Sequence, residues 1–232
     1  MAATTQHVPD AAGIFDGVAA DYERPAQLFG LFQYRGWQKE LASLIAAVQP
    51  ELVLDMCTGT GLIAEEIRAK TKARVVGADL SHEMLRNSSP RTADPDLVRT
   101  DARLPAFRDG AFDAVVFSYL LRYVQDVPGT IAGLAALVRP GGLMASLEFG
   151  VPSGVFRPAW LAYTRAIMPA GLAVLSPGWR RVGGFLGHSI WDFNRAWPPE
   201  RLEDEWRNAG IGNVETRRLS LGGAVIQWGT RS

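Results

Sequence analysis

Val53-Leu54-Asp55-Met56-Cys57-Thr58-Gly59-Thr60-Gly61 is the stretch from which the rest of the chain can be read. The apolar run Leu52 to Leu54 predicts a buried strand ending on a carboxylate, and Leu62, Ile63 and Ile67 beyond the glycines have helical spacing. Strand, tight turn and helix in that order make a nucleotide-binding crevice. Gly59 and Gly61 let backbone approach a ligand where a Cβ would clash, and the helix N-terminus offers unpaired N–H groups. A plain strand–helix turn that happens to be rich in glycine would look the same, so the stretch needs partners.

Two lie downstream. The apolar run Arg74 to Ala78 ends on Asp79, about twenty residues after the glycines, where a carboxylate can take both hydroxyls of a ribose. A third strand near Leu97 to Arg99 ends at Thr100-Asp101-Ala102. Three strand ends, each with a carboxylate, then share one edge of an open α/β sheet, the edge where such sheets bind ligands. A dinucleotide dehydrogenase competes, because Gly59-x-Gly61-x-x-Ala64 also fits its fingerprint. Asp55 stands against it, since a carboxylate ahead of the glycines would repel a pyrophosphate. S-adenosyl-L-methionine suits the pattern better, having an ammonium, a sulfonium, a ribose and an adenine but no phosphate.

Asp55-x-Cys57-x-Gly59-x-Gly61, Asp79 and Asp101-Ala102 resemble the successive binding motifs of a class I S-adenosylmethionine-dependent methyltransferase. The stretch Leu104 to Asp113 and Arg139-Pro140-Gly141-Gly142 are also similar to that superfamily. The resemblance implies a doubly wound, Rossmann-like α/β fold with a mostly parallel seven-stranded sheet and an antiparallel last strand. It implies that Asp55, Cys57 and the glycine turn hold the methionine part, Asp79 the ribose and Asp101 the adenine amino group. Leu80, Ala102 and Ser118 complete the expected donor site.

Composition narrows the class. With 232 residues the chain is long enough for one sizeable α/β domain but short for two. The 24 basic and 24 acidic residues cancel, so no general attraction to nucleic acid or anionic lipid is expected. Cys57 is the only cysteine, which excludes an internal disulfide and a cysteine-cluster metal site; no metal is expected. The start lacks a secretory apolar region and no apolar run reaches bilayer length, so a cytoplasmic enzyme is expected.

A single domain over residues 1–232 is expected to divide into N-terminal helices (1–49), the donor-binding core (50–150), an apolar cap insertion (151–197) and a closing helix and strands (198–232). Residues 1 to about 12 read as disordered. Periodicity begins at Gly13, and Leu41, Leu44, Ile45 and Val48 keep helical spacing within Leu28 to Val48, so two helices precede the sheet. Ser81 is a candidate N-cap, Ala114 to Ser118 a central strand, Pro128 to Val138 a helix stopped by Pro140-Gly141-Gly142, and Leu143 to Phe149 a fifth strand. Pro199 to Ala209 reads as a helix, and Val214 to Leu219 with Ala224 to Gly229 as a closing hairpin. Six of the seven tryptophans lie beyond residue 150, which favours an apolar substrate cap over the cofactor crevice.

The second half, together with a segment near the start, resembles the ubiquinone/menaquinone biosynthesis C-methyltransferases. Phe15 to Glu23, Leu121-Arg122, Leu147-Glu148-Phe149-Gly150-x-Pro152, Leu186-Gly187-His188-Ser189-Ile190 and Gly222-Gly223 fall in that family's order. The resemblance implies that Tyr22 lies over the methyl-donor pocket. The chain departs from the family at Leu120, where glycine is usual, at Tyr123, where asparagine is usual, and at His188, where an acidic residue is usual. Carbon methylation of a hydroquinone ring needs a cation for the phenolate and a base for its proton. Arg122 is the expected cation and His188 the expected base, with Glu148 as its substitute. The expected acceptor is an apolar aromatic small molecule, most simply a quinol precursor. O- or N-methylation of another apolar molecule, and donor binding without catalysis, stay open. A prenylated acceptor would add transient contact with a membrane surface, and a homodimer is compatible with the chain.

Overall fold

A computed structural model describes residues 11–88 and 96–232. The expected disorder of residues 1 to about 12 thus falls, up to residue 10, outside the described residues. The elements in chain order are α1 (Ala11–Asp16), α2 (Glu23–Phe29), α3 (Tyr34–Ala47), β1 (Leu52–Met56), α4 (Leu62–Lys70), β2 (Arg74–Asp79), α5 (His82–Ser88), β3 (Leu97–Arg99), β4 (Phe112–Ser118), α6 (Val127–Leu137) and β5 (Val138–Phe149). After them come α7 (Arg157–Ala162), a π-helical turn (Tyr163–Ile167), α8 (Met168–Ala173), α9 (Pro177–Ala196), α10 (Pro199–Asn208), β6 (Ile211–Leu219) and β7 (Ala224–Arg231).

The seven strands form one sheet in the order β3-β2-β1-β4-β5-β7-β6. β1 pairs in parallel with β2 on one side and β4 on the other, so the strand order reverses at β1. β7 slots antiparallel between β5 and β6, the closing pair expected from the sequence. Side chains alternate across the pleat. Leu54, Val115 and Phe117 face the layer of α6 and α10, while Val53, Ala114 and Val116 face that of α3 and α4. Trp206 of α10 is fully buried in the first layer.

Helix ends follow local chemistry. Ser81 Oγ accepts from the Met84 amide at 3.1 Å, as an N-cap does, and Asp126 caps α6 by accepting from the Gly129 amide at 2.9 Å. Arg68 and Lys70 lie in the last turn of α4, where the helix dipole favours cations.

Two expectations are corrected. Three helices precede the sheet rather than two, because the periodic run from Leu28 to Val48 is broken between α2 and α3. Leu31 and Phe32 both adopt left-handed conformations there. Gln27 braces the break, donating to the Phe32 carbonyl at 2.9 Å and accepting from the Arg35 amide at 3.1 Å. Nor does Pro140-Gly141-Gly142 form a separate helix stop. Phe112 pairs with Val138 and Ala114 with Leu143, so residues 139–142 bulge within β5 opposite Asp113.

The cap helices pack away from the sheet. Met168, Leu172, Trp179 and Val182 form a small core with Val18. α9 crosses the π-helical turn so closely at Gly187 that a Cβ there would stand 2.3 Å from the Thr164 carbonyl oxygen. On helix propensity alone, Gly187→Ala would stabilise by about 1 kcal/mol. Because the obstacle is backbone, overpacking outweighs that gain, and the variant should lose about 1–2 kcal/mol overall. Urea denaturation reads the sign; an unchanged or raised midpoint would mean that the two helices can separate freely.

Candidate active site

The switch of strand order at β1 opens a crevice beyond the carboxyl ends of β1, β2, β3 and β4. Cys57 takes φ +60° and Gly59 φ +55°, which turns the chain sharply out of the strand. The resulting cavity, about 380 Å³, is walled by Cys57, Gly59, Asp79, Leu80, Asp101, Ala102 and Ser118, all expected in the donor site.

Asp79 organises this wall. Its Oδ2 accepts from the Gly59 amide and its Oδ1 from the Ser81 amide, each at 2.9 Å, so one carboxylate ties the glycine turn to the end of β2. A carboxylate has about four acceptor positions, which leaves room for ligand hydroxyls. Burial raises the pKa of Asp79 and, more strongly, that of the Cys57 thiol, beside which Asp79 and Asp55 add their negative charge. That environment keeps the Cys57 thiol neutral. Asp101 is gripped by Arg103, whose Nε lies 3.0 Å from both carboxylate oxygens and whose Nη2 lies 2.5 Å from Oδ2. That grip holds the Asp101 carboxyl below its usual range. Arg103 also lines the cavity and was not anticipated; a bidentate arginine two residues from a carboxylate has no periodic signature.

Asp55 and Gly61 sit elsewhere than expected. Asp55 is fully buried under the turn and does not line the crevice. Its Oδ2 accepts from Thr58 Oγ1 at 2.8 Å, while Oδ1 has no partner among the described residues. Burial pushes its pKa up to about 7. The chain folds back over Asp55 at Cys57, so this carboxylate props the turn instead of lining the ligand wall. Gly61, φ +81°, is the N-cap of α4, and a Cβ on it would come within 2.7 Å of Ser88 Oγ. It permits close packing of α4 on α5 rather than contact with a ligand.

A second cavity of about 160 Å³ lies between α2, α3 and the cap helices. The two cavities share Phe15, Tyr22, Tyr34 and Arg122. Tyr22 thus stands at the junction, its ring stacked on Trp179 at 5.9 Å and its hydroxyl 3.5 Å from that of Tyr34. Arg122 is almost wholly buried: Nη1 lies 3.4 Å from Glu148 Oε2 and Nη2 donates to the Tyr123 hydroxyl at 3.0 Å. Its guanidinium carbon is 4.5 Å from the Tyr123 ring centre and 5.0 Å from that of Phe149, within cation–π range. Burial raises Glu148 to about 7, although Arg122 and the Leu121 amide act in the opposite sense. Arg122 keeps its charge.

The expected pairing of His188 with Arg122 does not form. Trp179, Val182, Leu186 and Ile190 of α9 line the second cavity. His188 is two residues past Leu186, about 200° around the helix, and is exposed. Glu148, the substitute base, lines neither cavity.

A crevice with carboxylates, open backbone at Gly59, and two lining arginines each paired with a carboxylate fits a ligand with hydroxyl and cationic groups better than one with phosphates.

Comparison with known proteins agrees. The profile of the ubiE/COQ5 methyltransferase family matches residues 2–231. A demethylmenaquinone methyltransferase of Mycolicibacterium paratuberculosis is 36% identical over 216 residues, covering 92% of this chain and 90% of that protein. A ubiquinone/menaquinone biosynthesis C-methyltransferase of Desulfotalea psychrophila is 30% identical over 227 residues, 96% of this chain and 91% of that protein. The solved structure of a SAM-dependent methyltransferase from Thermotoga maritima shares the fold, with TM-score 0.61 at 17% identity over 95% of this chain and 99% of that one.

The raised pKa of Asp55 has a consequence for stability. Between about pH 4 and pH 7 the folded state holds a proton on Asp55 that the unfolded chain has released, so stability falls as pH rises through that window. The slope from this one group reaches at most about 1.4 kcal/mol per pH unit. Asp55→Asn should flatten the fall of melting temperature between pH 5 and 7; an unchanged slope would mean that Asp55 is ionised throughout.

Proposed function

The chain belongs to the ubiE/COQ5 methyltransferase family and is an S-adenosyl-L-methionine-dependent enzyme, and from that premise we propose that it methylates a ring carbon of a quinol precursor seated in the smaller cavity. Bound in the larger cavity, the donor supplies an electrophilic methyl carbon on a sulfonium. Asp79 would hold its ribose, Asp101 its adenine amino group and the Cys57–Gly59 backbone its methionine part.

One observation carries the choice of acceptor. Among the described residues lining the smaller cavity, Arg122 alone is charged; its neighbours there include Phe29, Phe149, Trp160, Met168 and Trp179. A lone guanidinium in an apolar chamber suits an apolar molecule with one ionisable oxygen. Arg122 lowers the pKa of that phenol, and the phenolate places electron density on the adjacent ring carbon. With no carboxylate or imidazole lining that chamber among the described residues, the phenolic proton passes to solvent rather than to a protein base. Phe15, Tyr22 and Tyr34 form the rest of the shared wall and would align ring carbon with donor, which is mainly a task of orientation. The names of the relatives, which act on demethylmenaquinone or in quinone biosynthesis, agree with such a ring.

Incubation with a 2-unsubstituted 1,4-naphthohydroquinone and labelled donor tests this; a C-methyl product supports it, and an O-methyl product overturns it. Arg122→Ala should lower kcat about a hundredfold, the scale of losing one preorganised electrostatic donor. Because that change strands Glu148 in the interior, Arg122→Ala/Glu148→Gln is measured beside it and should lose as much.

Among the described residues no helix is long and apolar enough to cross a membrane. We further propose a transient lipid contact at the edge of the smaller cavity. Leu31, Phe32 and Leu221 are 59%, 68% and 66% exposed, and their two turns meet where Ser220 Oγ approaches Gln33 Oε1 at 3.3 Å. Leu31, Gln33 and Ser220 themselves line the cavity. In liposome flotation the wild type should float and Phe32→Ser/Leu221→Ser should not; a wild type that stays in the dense fraction rules the contact out.

A further inference from the structure

Tyr119 follows the end of β4 and carries two features that its packing does not need. Its backbone is left-handed at φ +55°, a conformation a bulky residue rarely adopts. Its ring is clasped between Phe149, stacked at 4.3 Å, and Tyr34, stacked at 5.6 Å. A phenylalanine would fill that clasp equally well. The hydroxyl is nevertheless present, buried, and without a hydrogen-bond partner among the described residues. Buried polar groups are nearly always satisfied, so each exception needs a reason.

A second orphan stands beside it. Arg122 uses Nη1 toward Glu148 and Nη2 toward Tyr123, while its buried Nε has no partner among the described residues. The Arg122 guanidinium carbon is 5.6 Å from the centre of the Tyr119 ring. Both residues line the donor cavity, and Arg122, Tyr34 and Phe149 line the apolar one as well. Two donors without partners therefore belong to neighbouring residues, Arg122 on the wall that the cavities share and Tyr119 on the larger cavity's side of it.

We propose that the Tyr119 hydroxyl and Arg122 Nε–H together seat one oxygen of the aromatic acceptor, so that Tyr119 is a second substrate-contacting residue. This deepens the assignment of a quinol acceptor and rests on it. Two donors on one oxygen stabilise the phenolate more than the phenol, because only the charged form accepts strongly from both. Burial holds the Tyr119 pKa well above the ordinary tyrosine value, so its hydroxyl stays protonated and donates. The seat selects for an aromatic ring bearing a hydroxyl and leaves the carbon beside it free to face the donor. Tyr123 contributes by occupying Nη2, which leaves Nε for the acceptor.

2-Naphthol and naphthalene serve as a matched pair of probes, read by calorimetry and by the absorption of the naphtholate. Wild type should bind 2-naphthol about tenfold tighter than naphthalene, the scale of one good hydrogen bond. Bound 2-naphthol should ionise about one pH unit below free 2-naphthol, a tenfold preference for the anion. Tyr119→Phe should lose most of both effects while binding naphthalene as wild type does and melting no lower. An unshifted naphthol ionisation in wild type overturns the seat without recourse to any variant, as does a Tyr119→Phe that still prefers 2-naphthol. If wild type shows both naphthol effects but methylates no quinol ring, the acceptor assignment fails and the seat stands. If wild type makes the C-methyl product and Tyr119→Phe makes it as fast, the seat fails and the assignment stands.

Discussion

The hydrogen bond from the Gly59 amide to Asp79 holds together the part of the molecule on which the rest depends. It joins the turn after β1 to the end of β2 across the point where strand order reverses. Without that tie the turn would be free to spread, since Cys57 and Gly59 both adopt left-handed conformations. Beneath it, the Thr58 hydroxyl donates to Asp55, and the Thr58 amide donates to the Ala78 carbonyl at 3.0 Å. The turn is thus fastened to β1 from below and to β2 from the side. A ligand entering the crevice would meet backbone that is already held, and little ordering would remain to be done on binding.

The second constraint is the wall that the two cavities share, which segments far apart in the chain build. Phe15 and Tyr22 come from the N-terminal segment, Tyr34 from α3, Arg122 from the turn after β4, and Trp179 from α9. The N-terminal segment is docked at both ends of this wall. Ser81 donates to Asp16 on one side, and Gly178 lies so close to the Gly17 carbonyl that a Cβ would approach it to 2.9 Å on the other. Among the described residues that wall is mostly aromatic, with a single buried cation, so a charge developing on an acceptor oxygen would meet one fixed counter-charge in surroundings of low polarity. In such surroundings an electrostatic interaction is much stronger than in water. Among the described residues, no acid or base from α9 lines the chamber.

Local chemistry made much of this legible in the sequence. A strand that ends on a carboxylate, a glycine turn and a helical run announce the crevice because each depends on residues adjacent in the chain. Asp79, Asp101, Ala102 and Ser118 were recognisable for the same reason: a residue at a strand's carboxyl end must lie at that edge of the sheet whatever else the chain does. Arg122 could be placed just beyond β4 in the same way. Patterns local in the chain are therefore enough for the sheet, its crevice, several residues of the crevice wall and the family. How deep each side chain lies and which way it faces is set by packing in three dimensions. Asp55 belongs to the same motif as Gly59, yet the fold-back at Cys57 buries it; His188 is two residues from Leu186, yet helical geometry turns it to solvent. The partnership of Tyr119 with Arg122, and the junction at Tyr22, arise from packing between segments that share no local pattern. Burial and facing depend on what distant residues bring against a side chain, and spacing along the chain carries no record of that.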